Sequence, residues 1–356
     1  GTDAWLLAAM LGLLVQNDWI DRPWLAEHTT GFDEVAPALE RIDVTGCATT
    51  CGVDEDLIRE VTRRIAAARS VSFFEDLGVQ MSIHSTLVSY LERLVWLTTG
   101  NYGRQGTANA FVPFLSLGKA SKGQMGRAGG GPPRVSPVSG ARIITGLIPC
   151  NVIPEEILTD HPNRYRALII QSGNPVHSLA DSQRMRQAMR ALEFSVVIDV
   201  AMTETARQAD YVLPATSQFE KAEATFFNLE FPDNAFHLRQ PVFTPPDGPL
   251  DEGEITARLL EQMGALTPGD YRALGLAAKA GLTAFSAAFL ARTALRPGLA
   301  KFAGPLLYRT LGPSLPRGMR MAAVVWGLCL ASVRDHPEAA ARAGFRGPLP
   351  VAAKRL

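Results

Sequence analysis

Apolar residues change their period several times along this chain, and each change marks an element. Residues 4–15 are apolar on all sides, which predicts a buried helix. Asp21, with Pro23 just inside, opens a short helix through about His28. Residues 29–50, with scattered acids, two glycines and Pro37, read as loop. Asp54 caps a helix to about Arg69, with Leu57, Ile58, Val61 and Ile65 as its apolar stripe. Residues 71–74 read as a short strand and residues 75–84 as the loop at its carboxyl end. Ser85 then caps a helix that carries Leu87, Val88, Leu91, Leu94 and Val95 on one face and ends at Thr99-Gly100-Asn101. Together these make one helix–strand–helix unit.

A second unit runs through ALIIQSGNPVHSLADSQRMRQAMRALEFSVVIDVAMTETARQADYVLP, residues 167–214. Residues 167–170 are a short apolar run that stops at Ser172-Gly173-Asn174-Pro175, where neither strand nor helix continues easily. Asp181 caps a helix through Leu192, with Met185, Ala188, Met189 and Leu192 at helical spacing. Residues 195–200 are continuously apolar up to Asp199, as suits a strand covered on both faces. A short helix and a third strand follow. Two strands joined by a helix of a dozen residues form a right-handed parallel unit. Ligands of such sheets sit beyond the carboxyl ends of the strands, where Gly173, Asn174 and Asp199 fall.

The segments between and after are less regular. Residues 103–140, including GKASKGQMGRAGGGPPRVSPVSG, read as a long surface loop, in which Lys119, Lys122 and Arg127 either grip phosphates or simply move with the loop. Pro154 starts a short helix to Thr159. Past Pro214, residues 217–228 carry Glu220-Lys221 and an aromatic patch, and FPDNAFHLRQPVF reads as a strand pair. Residues 251–263 form a helix with Ile255, Leu259 and Leu260 inward. From Asp270 onward Ala, Leu, Gly and Arg dominate, broken by Pro297, Pro305, Pro313 and Pro316, which predicts several short helices. The expected fold is therefore α/β, with Rossmann-like parallel sheet units flanked by helices and an all-helical C-terminal segment.

Composition narrows the class. Of 356 residues, 47% are hydrophobic and 20% charged, a globular rather than disordered balance. The formal charge is zero overall, yet residues 270–356 hold 10 Arg and 3 Lys against 3 acids. This basic tail packs on its own acidic body or a partner, or else marks a nucleic-acid or membrane contact; the first is the expectation. The four cysteines, Cys47, Cys51, Cys150 and Cys329, are too few for a disulfide framework, and no second pair follows Cys47 and Cys51 at ligand spacing. The opening GTDAWLLAAMLGLLV has no basic leader and too few apolar residues to span a bilayer, which points to the cytoplasm, and the absence of an initiator Met points to a fragment or processed chain.

Phosphate-loop, dinucleotide-fingerprint, nucleophile-elbow and His-Glu-x-x-His motifs are absent, and His84 beside Ser85 has no assignable third member, so it reads as structural. Gly173-Asn174-Pro175, Asp199, Thr203-Glu204-Thr205-Ala206, Ala209-Asp210-Tyr211-Val212-Leu213-Pro214 and Glu220-Lys221, in that order, together resemble the molybdopterin-dependent oxidoreductases. This is the superfamily of dimethyl sulfoxide reductase, formate dehydrogenase and nitrate reductase. The opening Gly1-Thr2-Asp3-Ala4 and Leu97-Thr98-Thr99-Gly100-Asn101-Tyr102-Gly103-Arg104-Gln105-Gly106 resemble further signatures of that family. The likeness covers residues 1–263.

The resemblance implies a bis-molybdopterin guanine dinucleotide cofactor with molybdenum or tungsten, held between two related α/β domains. It implies that Ile198 and Asp199 contact one guanosine and Thr2 and Asp3 the other, while the Leu77-Gly78 loop approaches a pterin. The residue chemistry agrees: Gly173 lets backbone approach, Asn174 offers amide groups, His177 and Ser178 reach phosphate oxygens, and Lys221 is a charge partner for pyrophosphate. The expected parts are residues 1–115, a glycine-rich loop at 116–140, a guanosine-binding α/β domain at 141–266 and a basic helical segment at 267–356. No catalytic residue or metal ligand is assigned, because the family's [4Fe-4S] cysteines and molybdenum ligand belong upstream of Gly1, and its C-terminal barrel is missing. Formate dehydrogenases carry an Arg shortly after the Gly-Arg signature, whereas residues 110–114 have none. The expected partners are the cofactor and an electron-transfer subunit, not nucleic acid. A metal-free scaffold of the same fold is the alternative, and an unrelated nucleotide-binding α/β protein is a third.

Overall fold

The structure is a computed structural model that describes residues 1–109, 134–143, 146–225, 236–342, 344 and 347. It divides into two compact units, Gly1–Val112 and Pro113–Leu356. Residues 110–114, with the absent Arg, and the loop cations Lys119, Lys122 and Arg127 lie outside the described residues, as do residues 226–235 of the expected aromatic patch and strand pair.

The first unit is helical and built around α1 (Asp3–Gln16), in which Ala9, Leu11, Leu13 and Leu14 have no exposed surface. Around it in the chain follow α2 (Arg22–His28), α3 (Phe32–Glu40), α4 (Val44–Cys51), α5 (Glu55–Ala67), α6 (Leu77–Gln80) and α7 (Ser85–Thr98). One side of α1, with Leu11, Leu14 and Val15, packs on Leu39 of α3 and Val88, Leu91 and Val95 of α7. The other, with Met10 and Leu13, packs on Val44 and Ala48 of α4 and Ile58 of α5. A helix apolar all round is thus explained by neighbours on every side, each buried Leu stabilising the fold by about 1.5–3 kcal/mol. Gly12 admits this packing, since a Cβ there would stand 3.0 Å from Ile42.

Several expectations for this unit are corrected. The supposed loop at 29–50 is α3 and α4. Phe32, Val35 and Leu39 supply an inward face for α3 despite Pro37, and Asp43 caps α4 by accepting from Gly46 N–H (3.0 Å). Residues 71–74 do not form a strand: no ladder pairs them among the described residues, and Val71 N–H donates to the Asn101 side chain (2.8 Å). A strand exists only as one side of a pair, which no local pattern guarantees. The stripe of α5 is Ile58, Thr62 and Ile65, while Leu57 and Val61 face solvent. On α7 the buried face is Val88, Leu91 and Val95, Leu87 is exposed, and His84 rather than Ser85 occupies the N-cap.

In the second unit α8 (Ile153–Leu158) precedes a three-stranded parallel sheet of β1 (Ala167–Gln171), β2 (Phe194–Asp199) and β3 (Tyr211–Pro214), in that spatial order. Ile169 pairs with Val196, and Val197 with Val212. Between β1 and β2 lie α9 (Pro175–Ser178) and α10 (Ser182–Ala191). On one face Val197 and Ile170 pack against Met185 and Met189 of α10; on the other, Val196 and Ile198 meet Ile255 of α11 (Glu252–Gln262). Helices on both faces are the reason β2 reads as an unbroken apolar run. Within α11 the inward residues are Ile255 and Ala257; Leu259, expected inward, is exposed. A short antiparallel pair, β4 (Glu223–Thr225) and β5 (His237–Arg239), stands between β3 and α11.

The chain then becomes helical, as expected from Asp270 onward. α12 (Pro268–Lys279), α13 (Leu282–Leu295), α14 (Ala303–Thr310), α15 (Ala322–Asp335) and α16 (Pro337–Arg342) follow one another, and Leu274, Phe285, Phe289, Leu306, Leu307, Trp326 and Leu330 form their shared core. Part of the basic charge is spent within the same unit. Arg309 of α14 donates to Glu254 (2.6 Å) and Glu261 (2.7 Å) of α11, and Tyr308 hydroxyl donates to Asp251 (2.9 Å). No helix among the described residues is long and apolar enough to cross a membrane.

Candidate functional site

The carboxyl ends of β1, β2 and β3 converge on three loops. β1 runs into Ser172, a non-glycine residue at φ +53°, whose N–H donates to Ile198 carbonyl (3.0 Å) and carries the ladder one residue past the strand. Such a conformation is strained for serine and persists because the bond and the Gly173-Asn174-Pro175 turn hold it.

Asn174 is the hub of the next loop. Its amide donates to Glu204 (2.6 Å), and its carbonyl oxygen accepts from Thr205 N–H (3.2 Å) and Thr205 hydroxyl (2.8 Å). Thr205, fully buried, in turn accepts from Val176 N–H (3.0 Å). Asn174 thereby ties the β1 loop to the β2 loop, and its amide holds the Glu204 carboxyl below the usual carboxylate range. The Thr203–Ala206 motif acts through this network, and Asp210 likewise joins strands by accepting from Ser195 N–H (2.7 Å) and hydroxyl (2.9 Å).

Asp199 stands at the end of β2. Its Oδ1 accepts from Ala201 N–H (3.1 Å) and its backbone carbonyl from Ala215 N–H (3.0 Å); Oδ2 has no hydrogen bond among the described residues. Ile198 beside it is buried, and its side chain packs the sheet. His177 and Ser178 are exposed on α9, with Ser178 hydroxyl bonded back to Asn174 carbonyl (3.0 Å). Lys221 donates to both carboxylate oxygens of Glu252 (2.6 and 2.7 Å).

Beyond β3 a cleft of about 710 Å³ is lined by Thr216, Lys221, Asp251, Tyr308 and Arg317, among others. Thr216 is 3% exposed and its hydroxyl has no partner among the described residues. A guanosine presents hydroxyl and N–H donors, and the unengaged Asp199 oxygen and the orphaned Thr216 hydroxyl suit such a group, so the residues present fit the nucleoside end of the expected cofactor. Thr216 was not singled out in the sequence, and Ser172 and Glu204 entered only as members of the Ser172–Pro175 stop and the Thr203–Ala206 motif.

The remaining expected contacts lie in the first unit. Thr2 precedes α1 without a side-chain capping bond, Asp3 opens it, and Leu77 and Gly78 begin α6 in the open, Leu77 at 61% exposure. His84 packs edge-on against Trp5, ring centroids 5.2 Å apart, a structural placement. Among the described residues no three His, Cys, Asp or Glu side chains gather as a metal site.

Comparison with known proteins matches residues 82–261 to a sequence model described as molybdopterin oxidoreductase. The alpha subunit of F420-dependent formate dehydrogenase from Methanocaldococcus jannaschii is 29% identical over 274 residues, covering 74% of this chain and 40% of that protein. The assimilatory nitrate reductase of Haloferax mediterranei is 28% identical over 260 residues, covering 69% and 34%. Trimethylamine-N-oxide reductase of Vibrio cholerae is 26% identical over 247 residues, covering 62% and 30%. Among solved structures, acetylene hydratase from Pelobacter acetylenicus superposes with a TM-score of 0.61 at 20% identity, over 74% of this chain and 40% of that one, which is a likeness of fold. The chain spans about 40% or less of the length of these proteins.

Proposed function

Because the chain belongs to the molybdopterin oxidoreductase family, we propose that its parallel sheet seats the nucleotide end of a bis-molybdopterin guanine dinucleotide cofactor. The enzyme of which it forms part would move electrons to or from a small substrate. The observation that carries this reading is Asp199, at the carboxyl end of the central strand beside the Asn174 loop, with one carboxylate oxygen unengaged. In this role Asp199 accepts from ribose hydroxyls or guanine N–H groups, while Asn174, Glu204 and Thr205 hold the loops that frame it. The molybdenum or tungsten centre, when bound, supplies two-electron redox chemistry. Its protein ligand and any [4Fe-4S] cluster are assigned to parts of the protein outside this stretch, and electron transfer to a partner subunit in the cytoplasm completes the reading. The three sequence relatives carry different substrate names, formate, nitrate and trimethylamine-N-oxide, so assay selects the substrate of this protein.

The test is chemical. The full-length gene product is purified, and its molybdenum, tungsten and acid-released guanine nucleotide are quantified beside an Asp199→Ala variant. Metal near one per chain with guanine nucleotide is expected. In the variant, whose circular dichroism stays unchanged, nucleotide retention falls by about tenfold, the effect of losing a charge-assisted hydrogen-bond pair. Full retention in Asp199→Ala would remove the assignment.

One observation favours a second reading, a metal-free scaffold of the same fold. Lys221 and Asn174 spend their hydrogen bonds inside the protein, which a fold that has lost its cofactor also permits. A stable full-length product free of metal and guanine nucleotide would select that reading.

A further inference from the structure

Helices α12–α16 lie beyond the last residue of the family match, residue 261. Between α13, α14, α15 and the turn at Pro297–Phe302 is a cavity of about 300 Å³. The cavity is partly open to solvent, and an apolar group seated in it is removed from water. It has room for a body of about ten heavy atoms, at the roughly 30 Å³ a water takes in the liquid.

Two glycines in the wall differ in what they do. A Cβ on Gly327 would come within 2.3 Å of Leu307 Cδ1, so a larger residue there makes the Leu307 side chain shift. A Cβ on Gly304 would meet only Val324 Cγ1, at 3.8 Å, so packing does not require glycine there, and helix propensity disfavours it. What Gly304 preserves is the open volume. The rest of the lining is almost wholly apolar, from Phe289, Leu290, Ala300, Ala303 and Leu328. Thr293 contributes little polarity, because its hydroxyl already donates to Phe289 carbonyl (2.9 Å). The charged group in the lining is Arg334, in the last turn of α15, with its side chain 56% exposed and paired with its neighbour Asp335 (2.9 Å). An exposed pair of this kind is weak and yields readily to a better-placed anion.

We propose that this cavity binds a small amphipathic carboxylate, with its apolar tail between α14 and α15 and its carboxylate on the Arg334 guanidinium. The site is separate from the strand-end cofactor site and does not depend on that reading. Octanoate, 1-octanol and lysophosphatidylcholine are titrated calorimetrically into the full chain, into Gly304→Leu and into Arg334→Gln. Saturable 1:1 binding of octanoate to the unaltered chain is expected. It should disappear in Gly304→Leu, whose melting temperature holds or rises because the leucine fills the cavity. It should weaken about tenfold in Arg334→Gln, the scale of one charge-assisted hydrogen bond, while octanol binds the unaltered chain and Arg334→Gln equally. Absence of saturable octanoate binding, equal binding to Gly304→Leu, insensitivity to Arg334→Gln, or binding of the lysolipid in preference to the free acid would each overturn the proposal.

Discussion

Glu92 and Glu156 are both buried carboxyls, and their surroundings drive them in opposite directions. Glu156, with no exposed surface, accepts from Val138 N–H (3.0 Å), Ser139 N–H (2.9 Å) and Ser139 hydroxyl (2.7 Å). Burial opposes its charge, but these donors outweigh burial and hold the carboxyl below its usual range. Glu92, 7% exposed on α7, has an oxygen with no partner among the described residues. Burial first, and then the neighbouring Glu75 carboxyl, push it up to about 7, with Arg93 and Trp96 opposing only in part. Glu75 itself is held by Ser89 hydroxyl and lies 3.8 Å from Arg93. The folded protein therefore keeps a proton that the unfolded chain has released. This contribution to stability is full below the ordinary carboxylate pKa and is lost as pH rises through about 7. Thermal melts at pH 5 and pH 8 should show stability falling with pH in the native sequence and a flatter profile in Glu92→Gln, which should be the more stable protein at pH 8 by roughly 1–3 kcal/mol. An unchanged slope would show that Glu92 ionises freely.

Among the elements, α10 shows how one residue sets an entrance. Asp181 sits at φ +58° and its side chain accepts from Arg184 N–H (2.9 Å), so it serves as both turn residue and N-cap. The left-handed conformation is tolerated by Asp and Asn and disfavoured for other side chains. Asp181→Ala therefore loses the cap and adds strain, for an expected cost of about 1–2 kcal/mol, whereas Asp181→Asn should lie within a few tenths of native. Urea denaturation of the two variants checks this, and equal midpoints would show that the cap is idle. The consequence reaches the site, because α10 presses Met185 and Met189 onto Ile170 and Val197, the residues that position the strand ends.

At the scale of the molecule, the first unit leaves an apolar stretch uncovered. Phe74 is 88% exposed, Leu77 61%, Met81 78% and Ile83 93%. Contiguous exposed apolar surface marks a contact face, and the matched relatives are at least twice as long as the part this chain aligns with. The 356-residue chain on its own should self-associate through this stretch. Phe74→Ser with Ile83→Ser should lower the apparent mass in light scattering at matched concentration; an unchanged mass would place the contact elsewhere. Leu77 and Gly78, expected to approach a pterin, belong to the same uncovered stretch.

Patterns that act over a few residues were readable in the sequence. The apolar runs and helical spacing of residues 167–214, the caps at Asp21, Asp54 and Asp181, and the unbroken apolar run of β2 follow from local sterics and from which faces must leave water. The helices at 32–51 were hidden by a proline and two glycines whose local preference the core overrides. Partners remote in sequence were decided by the tertiary structure alone. Asn174 meets Glu204 and Thr205 some thirty residues on, Lys221 gives its charge to Glu252, and the Thr216 hydroxyl is left without a partner among the described residues, in a cleft that also takes Tyr308 and Arg317 from beyond residue 300. A polar residue has the same character in any sequence window. Whether its hydrogen bonds are spent within the protein or kept for a ligand is set by what folding brings against it, and at this sheet that accounting leaves Asp199 with an oxygen to offer.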